Sequence, residues 1–486
     1  MRMRKLLIVA GAGLVLAGAA PVAWATTTRT TTAAPPPGDT RFHQQRVEWG
    51  ECEPADAALR CARVTVPVDW NRPGGATLEL AVARRAGDGR GTLVVNPGGP
   101  GISGIDFLSR NPAGPDGYDL VAWDPRGVGR SAGLTCPPDA TAAIEAVDGS
   151  PDTLAEAKSF EVAATRWAHA CRAASGPVFD HMDTGSSARD LDVLRAVLGR
   201  SKLDYLGMSY GTIVGGRYAE LFPQRVGRMV LDSAGHPDHT YRSWMAGVTE
   251  AKELSLTGYL AGCADRPECP LASMTEGEAR RWIRQLLRDV DREPLRSGDT
   301  TVSQAQLAAV LQRDVATPNG WDRLDAELAE LLDGRADIVA MTAPRTTIDI
   351  PNVATTCQDL PDRRTPAEVL RDAGRLARTA PVFGIEVTAG APCTRWPAGT
   401  PVPPHRLHAP GAPPILVVGI TRDTAGPYRW SVELTAQLGK ARLLTLDGAG
   451  HGAYLSDPCV RDAADAFLTG GTLPARGTVC RTGQGQ

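Results

Sequence analysis

The chain carries Gly207-Met208-Ser209-Tyr210-Gly211 between the apolar run Leu203-Asp204-Tyr205-Leu206 and the helix-forming run Thr212–Leu221. A strand that turns into a helix within so few residues, with glycine on both sides of a serine, admits very few conformations. The serine has to occupy a tight, strained turn, and a Cβ on either flanking glycine position would crowd it. Such a turn lifts the Ser209 hydroxyl to the edge of a sheet. It also sets Ser209 at a helix N-terminus, where the backbone N–H of Tyr210 is free to face developing negative charge.

The surrounding sequence supplies the sheet. Ala62–Val68, Thr77–Ala83, Thr92–Asn96, Tyr118–Asp124, Leu203–Gly207 and Arg228–Asp232 read as strands. Helical stretches at Pro151–Ala174, Ser187–Leu198 and Thr212–Leu221 alternate with the later strands. That alternation predicts an α/β fold with a mainly parallel central sheet covered on both faces. From about Gly235 to Val402 the rhythm changes to helices and loops, at Trp244–Cys263, Thr275–Val290, Ser303–Asp314, Trp321–Leu332 and Pro366–Thr379. Strands resume at Leu416–Gly419 and Arg442–Leu446, with a last helix at Arg461–Thr469. The expected plan is a core of residues 46–235 and 406–486 with an inserted helical lid at 236–405.

A serine hydroxyl needs a base, and the base needs a carboxylate to orient it. For a strand–turn–helix serine in a parallel sheet the chain order is Ser, then acid, then His. Of the five histidines downstream of Ser209, His236 and His239 come before any acid loop, and His405 and His408 lie in a Pro-rich segment. His451 stands in Gly448-Ala-Gly-His-Gly452, just past a strand, and is the expected base. Asp423 follows the strand Pro414–Gly419 and is the expected acid; Asp447 is its rival, on the strand that leads into the His451 loop. Asn96-Pro-Gly-Gly-Pro-Gly101 follows another strand end and lets bare backbone approach a substrate. Gly99 and Tyr210 are the expected oxyanion donors.

Arg2, Arg4 and Lys5 precede the apolar stretch Leu6–Ala20, and Ala23-Trp24-Ala25 offers small residues for cleavage after Ala25. This predicts a secretory signal at residues 1–25, hence a secreted, extracellular chain without a stable membrane anchor after cleavage. Residues 26–45 read as a disordered linker or propeptide. The ten cysteines, Cys52, Cys61, Cys136, Cys171, Cys263, Cys269, Cys357, Cys393, Cys459 and Cys480, suit disulfides in an oxidising compartment. Sequence does not dictate the connectivity; spacing favours nearest neighbours, in the order just given. No CxxC pair exists, and the pairs His236/His239 and His405/His408 sit in Pro-bearing loops without an acidic third ligand, so no metal is expected. No cofactor is implied. A net charge of −3 over 486 residues gives no reason to expect nucleic acid.

Taken together, Asn96–Gly101, Tyr118–Ser131 (YDLVAWDPRGVGRS), Ala188–Asp192 (ARDLD), Gly207–Gly211 and Gly450–Gly452 with Cys459 behind them resemble the exported tripeptidyl aminopeptidase family of bacteria, relatives of prolyl iminopeptidase. The resemblance implies an α/β-hydrolase core, a helical lid, Ser209, Asp423 and His451 as nucleophile, acid and base, and a peptide substrate with a free N-terminus. One departure is in the acid loop, where Gly426 stands at the position that is usually Thr. An aminopeptidase also needs a carboxylate for the substrate ammonium, for which Asp232, Glu250 and Glu253 are candidates. The same triad would serve a carboxylesterase or lipase, and a hydrolase scaffold can also serve as a non-catalytic binding protein.

Overall fold

The computed structural model describes residues 40–481 apart from 55, 345–347, 385–391 and 398–402. The expected signal segment and most of the expected linker lie outside the described residues. The described residues form eleven strands: β1 (Arg60–Pro67), β2 (Thr77–Arg85), β3 (Gly91–Asn96), β4 (Tyr118–Trp123), β5 (Leu203–Met208), β6 (Val226–Asp232), β7 (Leu295–Ser297), β8 (Thr300–Val302), β9 (Leu416–Asp423), β10 (Arg442–Gly450) and β11 (Val479–Arg481). Nine of them form one sheet in the order β1-β2-β4-β3-β5-β6-β9-β10-β11. Only the pairings of β2 with β1 and with β4 are antiparallel; every other neighbour is parallel.

Period-two alternation sends successive side chains of each strand to opposite faces. Tyr205, Leu231 and Val417 join a core with the helices Leu154–Ser175, Thr184–Val197 and Tyr210–Leu221. Leu206, Val230 and Val418 join a second core against Gly104–Arg110 and Pro458–Gly470. This is the α/β-hydrolase architecture. The described chain joins it early: Phe42, in the short helix Thr40–His43, is buried with its ring centroid 6.2 Å from that of Trp70.

Between β6 and β9 the chain leaves the sheet, and its described residues there form seven helices and the hairpin β7–β8. This helical insertion has its own core, built on Tyr259, Ile283, Leu307, Leu311, Leu328 and Phe383. Its helix starts are set by sequence. Thr275 with Glu278 and Ser303 with Gln306 form capping boxes, each satisfying two N–H groups that the helix cannot, for about 1 kcal/mol. Two short helices, Asp337–Thr342 and Ile350–Asp359, and the hairpin were not expected from the periodicity. Five disulfides join Cys52–Cys61, Cys136–Cys171, Cys263–Cys269, Cys357–Cys393 and Cys459–Cys480. Each closes within the core or within the insertion. Among the described residues no helix is long and apolar enough to cross a membrane.

Candidate active site

The ends of β3, β5, β6, β9 and β10 all fall on the C-terminal side of the parallel sheet, the edge where open α/β sheets place their sites. Ser209 leaves β5 with φ 55° and ψ −123°, a conformation that costs a non-glycine residue on the order of 1–3 kcal/mol. Hydrogen bonds hold it there. Its N–H donates to Asp232 O at 2.9 Å, and its carbonyl accepts the Thr212 N–H at 2.9 Å and the Thr212 hydroxyl at 2.6 Å. The flanking glycines are sterically required. A Cβ on Gly207 would lie 2.5 Å from Gly211 O, and one on Gly211 would lie 2.7 Å from Asn96 O.

The Gly-rich loop after β3 rests against this turn. A Cβ on Gly98 (φ 96°) would come within 2.5 Å of Met208 O and 2.8 Å of Tyr210 N. The Gly98 N–H is already engaged, donating to Asn96 Oδ1 at 2.8 Å. The N–H of Tyr210, first residue of the helix Tyr210–Leu221, has no acceptor within the helix.

Asp423 ends β9 and His451 follows β10, paired in parallel so that Gly450 lies opposite Asp423. His451 Nδ1 is 2.8 Å from Asp423 Oδ1. A carboxylate only accepts, so Nδ1 carries the proton and Nε2 keeps its lone pair. Asp423 Oδ1 also accepts from Ala425 N–H at 2.9 Å and Gly426 N–H at 3.1 Å, which fixes the carboxylate plane. Burial lowers the His451 pKa, but the charge and hydrogen bond of Asp423, aided by Asp232, outweigh it, and the net shift is upward. Asp447 sits in the bulge between Leu446 and Ala449, half exposed, accepting from Thr421 Oγ1 at 3.0 Å beside Arg422.

Asp232 links the two halves of the arrangement. Its backbone oxygen takes the Ser209 N–H, while its carboxylate takes the N–H of Tyr454 at 2.8 Å, three residues past His451. Gly452 N–H donates to the hydroxyl of Ser233 at 2.9 Å. The turn of Ser209 and the loop of His451 are thus pinned to one strand end.

The three candidate ammonium carboxylates are all engaged elsewhere. Asp232 is occupied as described; Glu253 is buried, paired with Arg280 and accepting from Phe383 N–H; Glu250 pairs with Arg429. A further carboxylate, not singled out by sequence, faces a pocket. Asp359, at the end of the insertion helix Ile350–Asp359, lines a pocket together with Pro100, Tyr210, Trp244 and Leu407. It accepts from Thr184 N–H at 2.9 Å. Burial and the nearby charge of Asp183 push its pKa up to about 7. Of the loop histidines, His405 packs on Glu220, and His236 and His239 meet Glu433 from a distant helix.

The serine protease Hip1 of Mycobacterium tuberculosis is 33% identical, over 90% of this chain and 91% of its own length. The tripeptidyl aminopeptidase of Streptomyces lividans is 32% identical, over 89% of this chain and 86% of its own. The chain belongs to the tripeptidyl aminopeptidase-like family of α/β-hydrolases. The profile described as "TAP-like protein" matches residues 380–480, which span β9, Asp423, β10 and His451. A carboxylesterase B of M. tuberculosis is 33% identical over 89% of both chains.

Several residues that carry the likeness to the tripeptidyl aminopeptidase-like family hold the frame of the fold. Arg126, 1% exposed, uses all five of its N–H groups, two on Asp190 at 2.7 and 2.8 Å and three on the carbonyls of Pro67, Val68 and His181. Asp192 accepts from His43, Arg195 and Tyr218 and pairs with Arg225. These partners overcome its burial and hold its pKa down at about 2. The departure at Gly426 has a packing cause: a Cβ there would lie 2.6 Å from the Trp430 ring.

Proposed function

We propose that the chain is an exported serine exopeptidase that releases short peptides, tripeptides among them, from free N-termini. The observation that carries this reading is the Asp423–His451 pair, held by Asp232 to the strained turn of Ser209. In the proposed reaction His451 Nε2 takes the Ser209 hydroxyl proton as Oγ attacks the scissile carbonyl. The oxyanion is received by the N–H groups of Tyr210 and Gly99; Gly98 is excluded because Asn96 holds its N–H. His451 then gives the proton to the departing amine, leaving an acyl-enzyme on Ser209. A water, deprotonated by the same imidazole, releases the acyl peptide. Each oxyanion donor contributes about 2.7–4 kcal/mol in comparable sites.

Asp359 is the proposed receiver of the substrate's ammonium group. A cation arriving there would restore the charged carboxylate that burial disfavours. The helical insertion would act as the lid, limiting how much peptide lies beyond the scissile bond. Export rests on the N-terminal signal pattern and on the five disulfides.

The experiment is a comparison of tripeptidyl arylamides, their N-acetylated forms and simple esters. The expected outcome is cleavage of free tripeptidyl arylamides, loss of activity on acetylation, and loss of both turnover and fluorophosphonate labelling in Ser209→Ala. The resemblance to carboxylesterase B supports a second reading, an esterase with the same triad. Good ester turnover without peptide turnover would decide for that. An unlabelled wild-type chain would make it a non-catalytic binding protein.

A further inference from the structure

The connection from β6 to the insertion carries two histidines that the reaction above does not use. His236 is 5% exposed. Its Nε2 lies 2.6 Å from Glu433 Oε2, on the helix Arg429–Gln437, and its Nδ1 faces the carboxylate of Asp238. The His239 ring centroid is 4.2 Å from that of His236, and its Nδ1 is held by Ser243 Oγ at 2.8 Å. Two of the four ring nitrogens, His239 Nε2 and His236 Nδ1, are buried without a hydrogen-bond partner, although the Asp238 carboxylate stands beside the second. One ligand atom from each of His236, His239 and Glu433 lies within 4.8 Å of the other two.

We propose that His236, His239 and Glu433 form a binding site for one divalent transition-metal ion of the zinc class. Two imidazoles and one carboxylate are a zinc-type donor set, and three protein ligands leave a fourth position open. Magnesium and calcium call for all-oxygen shells, so the imidazoles select against them. The backing of the rings fits as well. Ligating histidines are held through their other nitrogen by an oxygen; Ser243 Oγ holds His239 in this way, and the Asp238 carboxylate lies against His236 Nδ1. Bonds of about 2.1 Å at tetrahedral angles put ligand atoms roughly 3.4 Å apart. The His236–Glu433 contact therefore has to open by less than about 1 Å.

A plain ion pair between His236 and Glu433 is the simpler account of that contact. It leaves His239 Nε2 buried and unpaired, an unfavourable state for a polar atom. An ion accounts for both histidines at once. The second cluster of potential ligands among the described residues, Asp457 with Cys459 and Cys480, has its sulfurs bonded to each other and offers no thiolate.

The acidic third ligand does not stand near His236 and His239 in the sequence. The fold provides it from Glu433, across the insertion. The ion would fasten the first turn of the insertion, where Ser243 backs His239, to the helix that follows the Asp423 loop. His236 also lines the pocket of Tyr210 and Asp359, so the site forms part of the wall of that pocket.

The test uses the untagged, chelator-stripped chain, titrated calorimetrically with Zn2+ and separately with Co2+ under visible spectroscopy. The expected result is one equivalent of Zn2+, d–d absorption of low-coordinate Co2+, and a melting temperature raised by Zn2+. Glu433→Gln, at a half-exposed position, and His239→Gln are expected to lose the stoichiometric heat and the melting shift while keeping the native circular dichroism. No stoichiometric binding to the wild-type chain would overturn the proposal. So would binding of wild-type strength in Glu433→Gln and His239→Gln.

Discussion

The Asp232 carboxyl group is shut away from water at the end of β6, and burial pushes its pKa up to about 6 against the pull of Tyr454 N–H, His451 and Ala453 N–H. Asp232 tethers the His451 loop, while Asp423 is hydrogen-bonded to His451 itself. On the proposed assignment this division of labour has a pH signature. His451 must be neutral to accept the Ser209 proton, and Asp423 raises its pKa above the ordinary 6.5. The acidic limb of kcat/KM should therefore have its midpoint above pH 6.5, with activity rising as pH rises through it. Asp423→Asn removes the strongest influence holding that pKa up. Its limb should move to lower pH while kcat falls by roughly ten-thousand-fold, as expected when a triad loses its orienting carboxylate. Asp447→Asn should change neither; a larger loss there than in Asp423→Asn would move the acid to the bulge of β10.

The elements differ in how far their roles can be read locally. The strand–turn–helix around Ser209 was legible because its glycines, strand and helix are contiguous, and the steric need for Gly207 and Gly211 is met within a few ångströms. Asp423 and His451 could be singled out because each stands at the end of its own strand, where parallel pairing of β9 and β10 brings them together. Contacts between an insertion element and the core carry no local period. Asp359 reaches the pocket from Ile350–Asp359, a helix opened by Asp349 and a proline and too short for a clear apolar stripe. Likewise Glu433 lies nearly two hundred residues from the histidines it meets. The three-residue strand β11 gave no signal at the sheet edge for the same reason. The pocket predicts a specific defect: Asp359→Asn should raise KM for free tripeptidyl arylamides at least tenfold, the scale of one lost charge-assisted contact. It should leave turnover of small esters unchanged. Equal KM values for the two enzymes on free peptides would remove Asp359 from recognition.

Across the whole molecule, the motifs that carry the family likeness divide between chemistry and scaffolding. Arg126 and Asp190 lie apart in sequence, and nothing in either motif says they form one buried pair that also takes the Trp70 indole N–H at 2.9 Å. Buried and fully hydrogen-bonded to each other and to the backbone, they are supports. Arg126→Met should strand Asp190 as a buried, unpaired charge and cost about 3–5 kcal/mol. The check is the midpoint of chemical denaturation, which should fall well below that of the wild-type chain. Ser209 labelling at low denaturant should persist.

The placement of β9 beside β6, with the whole helical insertion between them in sequence, bears on how the enzyme is made. As the chain emerges, the strands up to β6 can collapse and the turn of Ser209 can form. The sheet position that brings Asp423 stays empty until the insertion has been synthesised, and His451 follows later still. Contacts of such long sequence separation close late. A nascent or truncated chain would thus hold an inert serine, and hydrolytic power would arrive only with the last portion of the polypeptide.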